Sequence, residues 1–474
     1  LLRHHQDLPD DWDLFGEVGV LSDRNFLEQY FENDFDEDKD QETLLYARKR
    51  FENWGGTLFA RPNIDGIETT TEWYPKADLY GLGEPLFDGL LNWSSHSSAG
   101  YAHLRPADHP TQPADIFTPL PYVADVQGGV YMTRHELSLP LHLGAFNIAP
   151  YVMGEASHWD SDFTSNSLDR LYGSAGVRGS VMMWKPYPHV QSNMFNLNGL
   201  VHKMVFDADF SASDSNTNLA DIPQYTDLDD NAQERFRSRF ITNTFGGVLP
   251  AIFEPRNYAV REGAAHNVST PVYELVDDQQ VLRMGWRHRL QTKVGPPDRL
   301  RVKDWMTLDL EASFFPDEDR DNFGESFGLL TSRYTWNVGD RTKILANSLH
   351  DLFLNGQDVW NLGILSQRST RGSVYVGMRN ISGGPLNSQI LTASYSYRMS
   401  EKWVSSVGTA YDLGENLNRG QSLTLTRIGS DFLVHIGASY DQSKDNVGVG
   451  ISVEPRFGPF QGNSSQLSSL LGTQ

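Results

Sequence analysis

The sequence predicts an all-β protein, a large antiparallel transmembrane β-barrel of the outer-membrane type. From about Gly372 onward, strand-length segments alternate apolar and polar residues, and short polar turns separate them. The side chains of a strand point alternately to its two faces, so each segment has one apolar and one polar face. A long succession of such segments is typical of a barrel that faces lipid outside and water inside.

Three segments near the end of the chain carry this alternation most clearly. Residues 391–397 place Leu, Ala and two Tyr on one face, and residues 432–440 place Phe, Val, Ile, Ala and Tyr on one face. Residues 447–453 alternate Val or Ile with Gly or Ser. A soluble β-sandwich also alternates, but it seldom sustains so many consecutive hairpins. The barrel is therefore the preferred interpretation.

The composition of the chain argues against several classes of protein and site. The chain has 474 residues, 39% of them hydrophobic, and it contains no run of about 18 apolar residues such as a membrane-spanning helix needs. The formal net charge of −22 argues against nucleic acid as a partner, because phosphate binding needs a basic surface. The chain contains no cysteine, which excludes disulfides and thiolate metal sites.

The predicted organisation is one outer-membrane barrel domain over residues 1–460, with roughly 18–22 strands of about ten residues each. Residues 210–280 lose the alternation and are predicted to form long extracellular loops, or alternatively an interdomain linker. Residues 461–474 are rich in Ser and Gln and are predicted to be a disordered tail. Apolar residues at helical spacing predict a short amphipathic helix over residues 22–31.

Two motifs resemble functional sites of known families, but neither has the surrounding sequence that such a site needs. Gly324, Ser326 and Gly328 match the nucleophile-elbow pattern, but the following residues read as a strand rather than the helix that the motif needs. Residues 33–40 resemble the start of a calcium loop, but Lys39 stands where its glycine belongs. No catalytic residue, metal site or cofactor is predicted, and the protein is not expected to be an enzyme.

Several segments together resemble a known family. Residues 20–27 (VLSDRNFL) are followed by an acidic stretch, then by Gln41-Glu42-Thr43, and then by Asn53-Trp54 before a new strand. Residues 321–336 and the hairpins between 372 and 457 continue the pattern. This arrangement resembles the C-terminal barrel portion of the LptD family, the lipopolysaccharide-assembly proteins also called organic solvent tolerance proteins.

The resemblance implies a function and partners. LptD proteins insert lipopolysaccharide into the outer leaflet of the outer membrane through a laterally opening barrel. The implied partners are lipopolysaccharide, an LptE-like lipoprotein plug, outer-membrane lipids, and periplasmic bridge proteins that join through an N-terminal domain. This sequence lacks that domain and the family's cysteines, and it matches from a point several strands into the barrel, so an incomplete barrel without its first strands is expected.

The last strand is the candidate for one side of a lateral seam in such a barrel. The candidate residues are Val447, Gly448, Val449, Gly450 and Ile451, because the two glycines offer little packing to hold a neighbouring strand. An ordinary barrel strand would have the same composition. Two other functions stay open: a passive outer-membrane porin and, with less support, an outer-membrane enzyme of the lipase type.

Overall fold

A computed structural model describes residues 1–23, 26–27, 41–108, 123–226, 241, 243–353, 356–384, 386–442 and 445–455. Within these residues the chain forms 22 strands in one antiparallel sheet. The strand number lies at the upper end of the predicted range. The chain divides into two compact units, described separately below. Unit 1 is Leu1–Gly179, Asp209–Leu282 and Phe314–Ser326, and unit 2 is Ser180–Ala208, Arg283–Ser313 and Phe327–Gln474.

Nine strands lie entirely in unit 1. They are β1 (Leu2–Leu8), β2 (Trp12–Val18), β3 (Leu44–Phe51), β4 (Trp54–Arg61), β5 (Thr70–Leu86), β6 (Leu91–Arg105), β7 (Val126–Ser138), β8 (Leu141–Leu143) and β9 (Phe146–Trp159). Four strands contribute residues to both units. They are β10 (Leu168–Ser192), β11 (Leu197–Ser215), β12 (Gln279–Val294) and β13 (Arg301–Phe314).

The remaining nine strands lie in unit 2. They are β14 (Phe327–Val338), β15 (Thr342–Asp351), β16 (Asp358–Ser369), β17 (Gly372–Ser382), β18 (Ser388–Ser400), β19 (Trp403–Asp412), β20 (Leu417–Ile428), β21 (Phe432–Asp441) and β22 (Asn446–Pro455). Two α-helices, α1 (Pro255–Glu262) and α2 (Glu318–Asp321), belong to unit 1. No helix among the described residues is long and apolar enough to cross a membrane.

Strand pairing in unit 2 confirms the predicted faces. Leu423 of β20 lies opposite Val407 of β19 and Ala438 of β21, and Ala438 lies opposite Val449 of β22. The exposed fractions of Val407, Leu423 and Val449 are 49%, 52% and 78%. An apolar band therefore continues from strand to strand with no protein over it, as lipid contact requires.

The opposite face of the same strands is polar. His435 of β21 lies on this face opposite Thr426, and their side chains are 2.9 Å apart. Arg427 lies next to the end of β20, where its guanidinium sits 5.9 Å from the Trp403 ring centroid. Charged groups thus occupy the polar face or strand ends, where burial in hydrocarbon is avoided.

Unit 1 is built from hairpins with tight turns. Residues 9–11, 52–53 and 87–90 close the hairpins β1–β2, β3–β4 and β5–β6, whereas residues 19–43, 62–69 and 106–125 connect one hairpin to the next. Asp10 and Asp11 have φ values of 63° and 60°. Two successive left-handed residues form the turn whose twist matches paired strands, and aspartate tolerates this conformation better than most residues do.

Some predictions fall wholly or partly outside the described residues. In the predicted helix at residues 22–31, Phe26 and Leu27 are helical, and residues 24–25 and 28–31 are outside the described part. The acidic stretch at residues 33–40 and the tail at residues 461–474 are outside it as well. The boundaries of the barrel domain stay a prediction.

Lysine substitutions on the two faces of the unit 2 strands should lower the free energy of unfolding by different amounts. Ile436→Lys places a charge on the apolar face and should lower the free energy of unfolding by about 2–4 kcal/mol if the site is at mid-membrane. Thr424→Lys, on the polar face of the adjacent strand, should change it much less. Reversible denaturant unfolding in lipid vesicles measures both, and equal effects would contradict lipid contact of the apolar face.

Candidate functional site

The candidate site in unit 1 is formed by the described residues between β11 and β12, which are 216–226, 241 and 243–278, here called the covering segment. It includes two 3-10 turns, Leu219–Asp221 and Ala251–Phe253, and helix α1. Pro255 begins the helix and Gly263 ends it with a φ of 76°, the usual residue types at these two positions. The loss of strand alternation in the sequence is therefore explained by a folded segment.

Much of the covering segment is buried in unit 1. Ile222, Tyr225, Tyr273 and Leu275 are 1%, 1%, 0% and 1% exposed. Ile222, Tyr225 and Tyr273 pack in one cluster with residues of β5, β6, β7 and β9, which are Trp73, Ala102, Leu104, Val130, Met132 and Trp159. Apolar side chains thus occur on the otherwise polar face of these strands where the segment covers them.

A buried ionic cluster lies under the segment. Glu155 of β9 accepts hydrogen bonds from Arg134 of β7 (Nε to Oε2, 2.8 Å) and from Arg170 of β10 (Nε to Oε1, 3.1 Å). All three side chains are fully shielded from solvent. The Ser157 hydroxyl donates a further hydrogen bond of 2.6 Å to Glu155. The carboxylate is therefore saturated by donors from three neighbouring strands.

The two arginines also bind the backbone of the covering segment. Arg134 Nη1 donates to the carbonyls of Ala265 (2.9 Å) and Asn267 (3.2 Å). Arg170 donates to the carbonyls of Tyr273 (Nη2, 2.9 Å) and Glu274 (Nη1, 3.2 Å). Arg134 and Arg170 thus connect strands β7 and β10 to two parts of the covering segment, residues 265–267 and residues 273–274. We call Arg134, Glu155 and Arg170 the clamp.

Further contacts attach the segment away from the clamp. His266 Nε2 lies 2.6 Å from Asp209 Oδ2 in β11. Arg178 of β10 bonds the same carboxylate at 3.2 Å and lies 3.8 Å from the Tyr151 ring centroid. Arg261 of α1 donates to Asn322 Oδ1 at 3.0 Å. The segment is held along its length by charged and polar contacts.

Glu274 is the one acidic side chain of the covering segment that is wholly buried among the residues the structure describes. Its Oε2 accepts hydrogen bonds from Gln224 Nε2 (2.9 Å), the Thr226 amide (2.9 Å) and the Thr226 hydroxyl (2.7 Å). Burial raises the pKa of Glu274 above its ordinary 4.5, and the bonds from Thr226 oppose this. Burial also raises the pKa of Asp277.

The candidate seam residues lie in β22, where they alternate between the two faces. Val447, Val449 and Ile451 are 71%, 78% and 71% exposed on the apolar face, and Gly448 and Gly450 lie opposite Ser439 and Gly437 of β21. Their role in a seam stays a prediction.

Two other sequence features have definite surroundings. The Ser326 hydroxyl donates to the Glu318 carboxylate, and strand β14 begins directly after it, as the sequence indicated. His5, Asp7 and Asp13 offer ligand atoms within 4.8 Å of one another. Asp13 already accepts a 2.7 Å hydrogen bond from Arg48, which would compete with a cation.

The large antiparallel sheet, with its continuous apolar face and charged opposite face, defines an outer-membrane β-barrel. No family model and no curated protein matches this chain. Among solved structures, a triple mutant of the Rhodopseudomonas blastica porin has 9% identity and a TM-score of 0.26, covering 70% of this chain and 91% of that one. KdgM porin has 13% identity and a TM-score of 0.20, covering 37% and 94%. These TM-scores are too low to support a functional argument.

Neutralising Glu155 should loosen the covering segment. Glu155→Gln leaves two buried guanidinium groups without a counter-charge, and we expect a loss of about 3–5 kcal/mol. Limited proteolysis within residues 216–278 and denaturant unfolding measure this effect. The control is Glu415→Gln, whose exposed ion pair with Arg419 should contribute only about 0–1 kcal/mol. Equal effects of the two substitutions would contradict the clamp.

The contribution of Glu274 to the packing of the covering segment should fall as pH rises. Because burial raises the pKa of Glu274 in the folded protein, this contribution is fully present below about pH 4.5 and is lost as pH rises through the folded pKa. Glu274→Gln should remove this contribution, and Asp277→Asn should remove the similar contribution of Asp277. Hydrogen exchange of residues 216–278, corrected for intrinsic rates, measures it. Asp221→Asn, at an exposed position of the same segment, should leave the dependence unchanged.

Proposed function

We propose that this protein is an outer-membrane transport channel whose polar interior is partly closed by its own covering segment. The observation that carries the proposal is the clamp, which binds the covering segment at residues 265–274 to the polar face of unit 1. Barrels of 16–18 strands usually leave an open aqueous channel, whereas 22-stranded transporters usually have a plugged lumen. The described residues form 22 strands, of which the three-residue β8 continues the line of β7 along β9. A sheet of this size with an internal cover is closer to the second pattern.

The chemistry of the clamp suits a contact that opens. Buried ion pairs are seldom the most stable way to fill an interior, because desolvation offsets much of their attraction. Apolar packing alone would fix the segment at lower desolvation cost. The arginine contacts also end on backbone carbonyls of the segment, which water can replace when the segment moves. The charged strand surface under it would then line a hydrated passage.

Removing the clamp as a whole should increase conductance. The triple variant Arg134→Ala, Glu155→Ala, Arg170→Ala leaves no unpaired member of the cluster, and we expect a higher single-channel conductance than that of the wild-type chain in planar bilayers. The matched control is Glu415→Ala with Arg419→Ala, an exposed pair in unit 2. Conductance that is absent from all three proteins would refute the channel. Equal conductance in all three would refute the role of the cover.

The absence of native cysteines allows a direct test of movement. Asp209→Cys with His266→Cys places thiols where the two native side chains meet, and a cleavable bifunctional reagent joins them. Cross-linking should lower conductance, and cleavage should restore it. A doubly substituted chain treated with a monofunctional reagent separates the effect of the link from that of modification.

A second candidate for the transported molecule is lipopolysaccharide. The similarity of residues 20–27, 41–43 and 53–54 to the LptD family favours it. In this proposal an LptE-like lipoprotein and periplasmic bridge proteins would be the partners, and β22 would border the seam. Depletion of the full-length protein in its host should then reduce lipopolysaccharide at the cell surface. An unchanged amount of surface lipopolysaccharide would show that the channel does not transport lipopolysaccharide.

A further inference from the structure

The polar face of unit 2 carries a row of side chains in register across four strands. Arg333 of β14 lies opposite Asn347 of β15, which lies opposite Asn361 of β16, which lies opposite Arg379 of β17. The row is connected by hydrogen bonds from Asn361 Nδ2 to Asn347 Oδ1 (2.6 Å) and from Arg379 Nε to Asn361 Oδ1 (3.1 Å). We call these four residues the polar row.

The two guanidinium groups remain accessible. The Arg333 side chain is 70% exposed, and its contact with Glu311 at 3.5 Å is long and half in solvent. Such exposed pairs are weak. An arginine carries five N–H donors, and in the described part of the chain Arg379 uses one of them, toward Asn361. Most of the donors at both ends of the row can therefore bind a solute.

The local charge is opposite to that of the whole chain. Lys343 lies on the same face, four residues from Asn347 along β15, and adds a third cation to this part of the wall. Glu311 is the acidic group in contact with the row, and nearby Asp309 is paired with Arg289 at 2.8 Å. A basic patch in a protein of net charge −22 selects anionic groups locally.

An aromatic ring lies beside the row. A Cβ atom added at Gly363 would lie 2.9 Å from the Tyr375 ring, and Gly377 is also covered by that ring. Because neither glycine has a side chain, the half-buried Tyr375 ring has room over β16 and β17. Its exposed part can pack against a flat apolar surface, such as one face of a sugar ring.

We propose that the polar row and Tyr375 form a binding site for anionic oligosaccharides. Strands are spaced by about 4.8 Å, so the two arginines, three strands apart, are separated by about 14 Å. Guanidinium groups bind carboxylate, phosphate or sulfate, and the amides between them exchange hydrogen bonds with hydroxyl groups. The ligand class is thus a saccharide of about three rings with anionic groups at both ends. This site deepens the proposed channel function by naming its solute.

A direct binding measurement tests the site. The full-length chain, folded in detergent micelles at low ionic strength, is titrated calorimetrically with a sulfated heparin-derived tetrasaccharide. Arg333→Gln with Arg379→Gln should weaken binding about tenfold or more, the value of one charge-assisted hydrogen bond. Tyr375→Ala should weaken binding while leaving its salt dependence unchanged, because stacking involves no charge. Maltotetraose, which is uncharged, should bind much more weakly than the sulfated probe.

The matched control is Arg299→Gln with Arg371→Gln, two arginines in turns of unit 2 that cause the same change in net charge. Control binding equal to wild type supports the site. An equal loss in both double variants would show non-specific attraction and overturn the proposal, as would no binding of the sulfated probe. Circular dichroism confirms folding of each variant. If the wild-type protein conducts but does not bind the sulfated probe, only this site is refuted. If it binds the probe but does not conduct, only the channel is refuted.

Discussion

The constraint on which the structure depends is that hydrocarbon offers no hydrogen bonds to a polypeptide backbone. A chain without apolar helices can meet it only by pairing strand with strand, so that each amide and carbonyl has a partner. Strand geometry then assigns alternate residues to opposite faces, and the two faces meet different solvents. The apolar band through Val407, Leu423, Ala438 and Val449 and the polar row through Arg333 and Arg379 are two results of the same periodicity.

In unit 1 a second constraint is added, because the covering segment lies over part of the polar face. Charged residues that water would solvate on an open wall become buried, and each must find a protein partner. Glu155 meets this need by accepting bonds from Arg134 and Arg170, and the arginines place their other donors on carbonyls of the segment. Water would also solvate these charged groups if the segment moved away. This attachment therefore suits a cover that moves.

Unit 2 shows the same kind of wall, with the charges of the polar row exposed. Arg333 is 70% exposed, and its neighbours in the row are amides rather than counter-charges. Charged groups on a strand wall can therefore act either as internal anchors or as solute contacts, and the presence of a covering segment decides between these roles. For the proposed channel, the clamp in unit 1 would govern passage, whereas the row in unit 2 would select the solute.

The sequence by itself determined the all-β class, the two-faced strands and the position of the long non-strand segment, because these depend on local periodicity. It also predicted the strand that follows Ser326, where a nucleophile elbow would need a helix. It did not reveal the clamp, since Arg134, Glu155 and Arg170 read as ordinary polar positions of strands far apart in sequence from Ala265 and Tyr273. Strand register decides which polar residues form a row across strands. The packing of the covering segment against the strands decides which polar residues are buried and which carbonyls they bind. Those are long-range relations, and only the tertiary structure decided them.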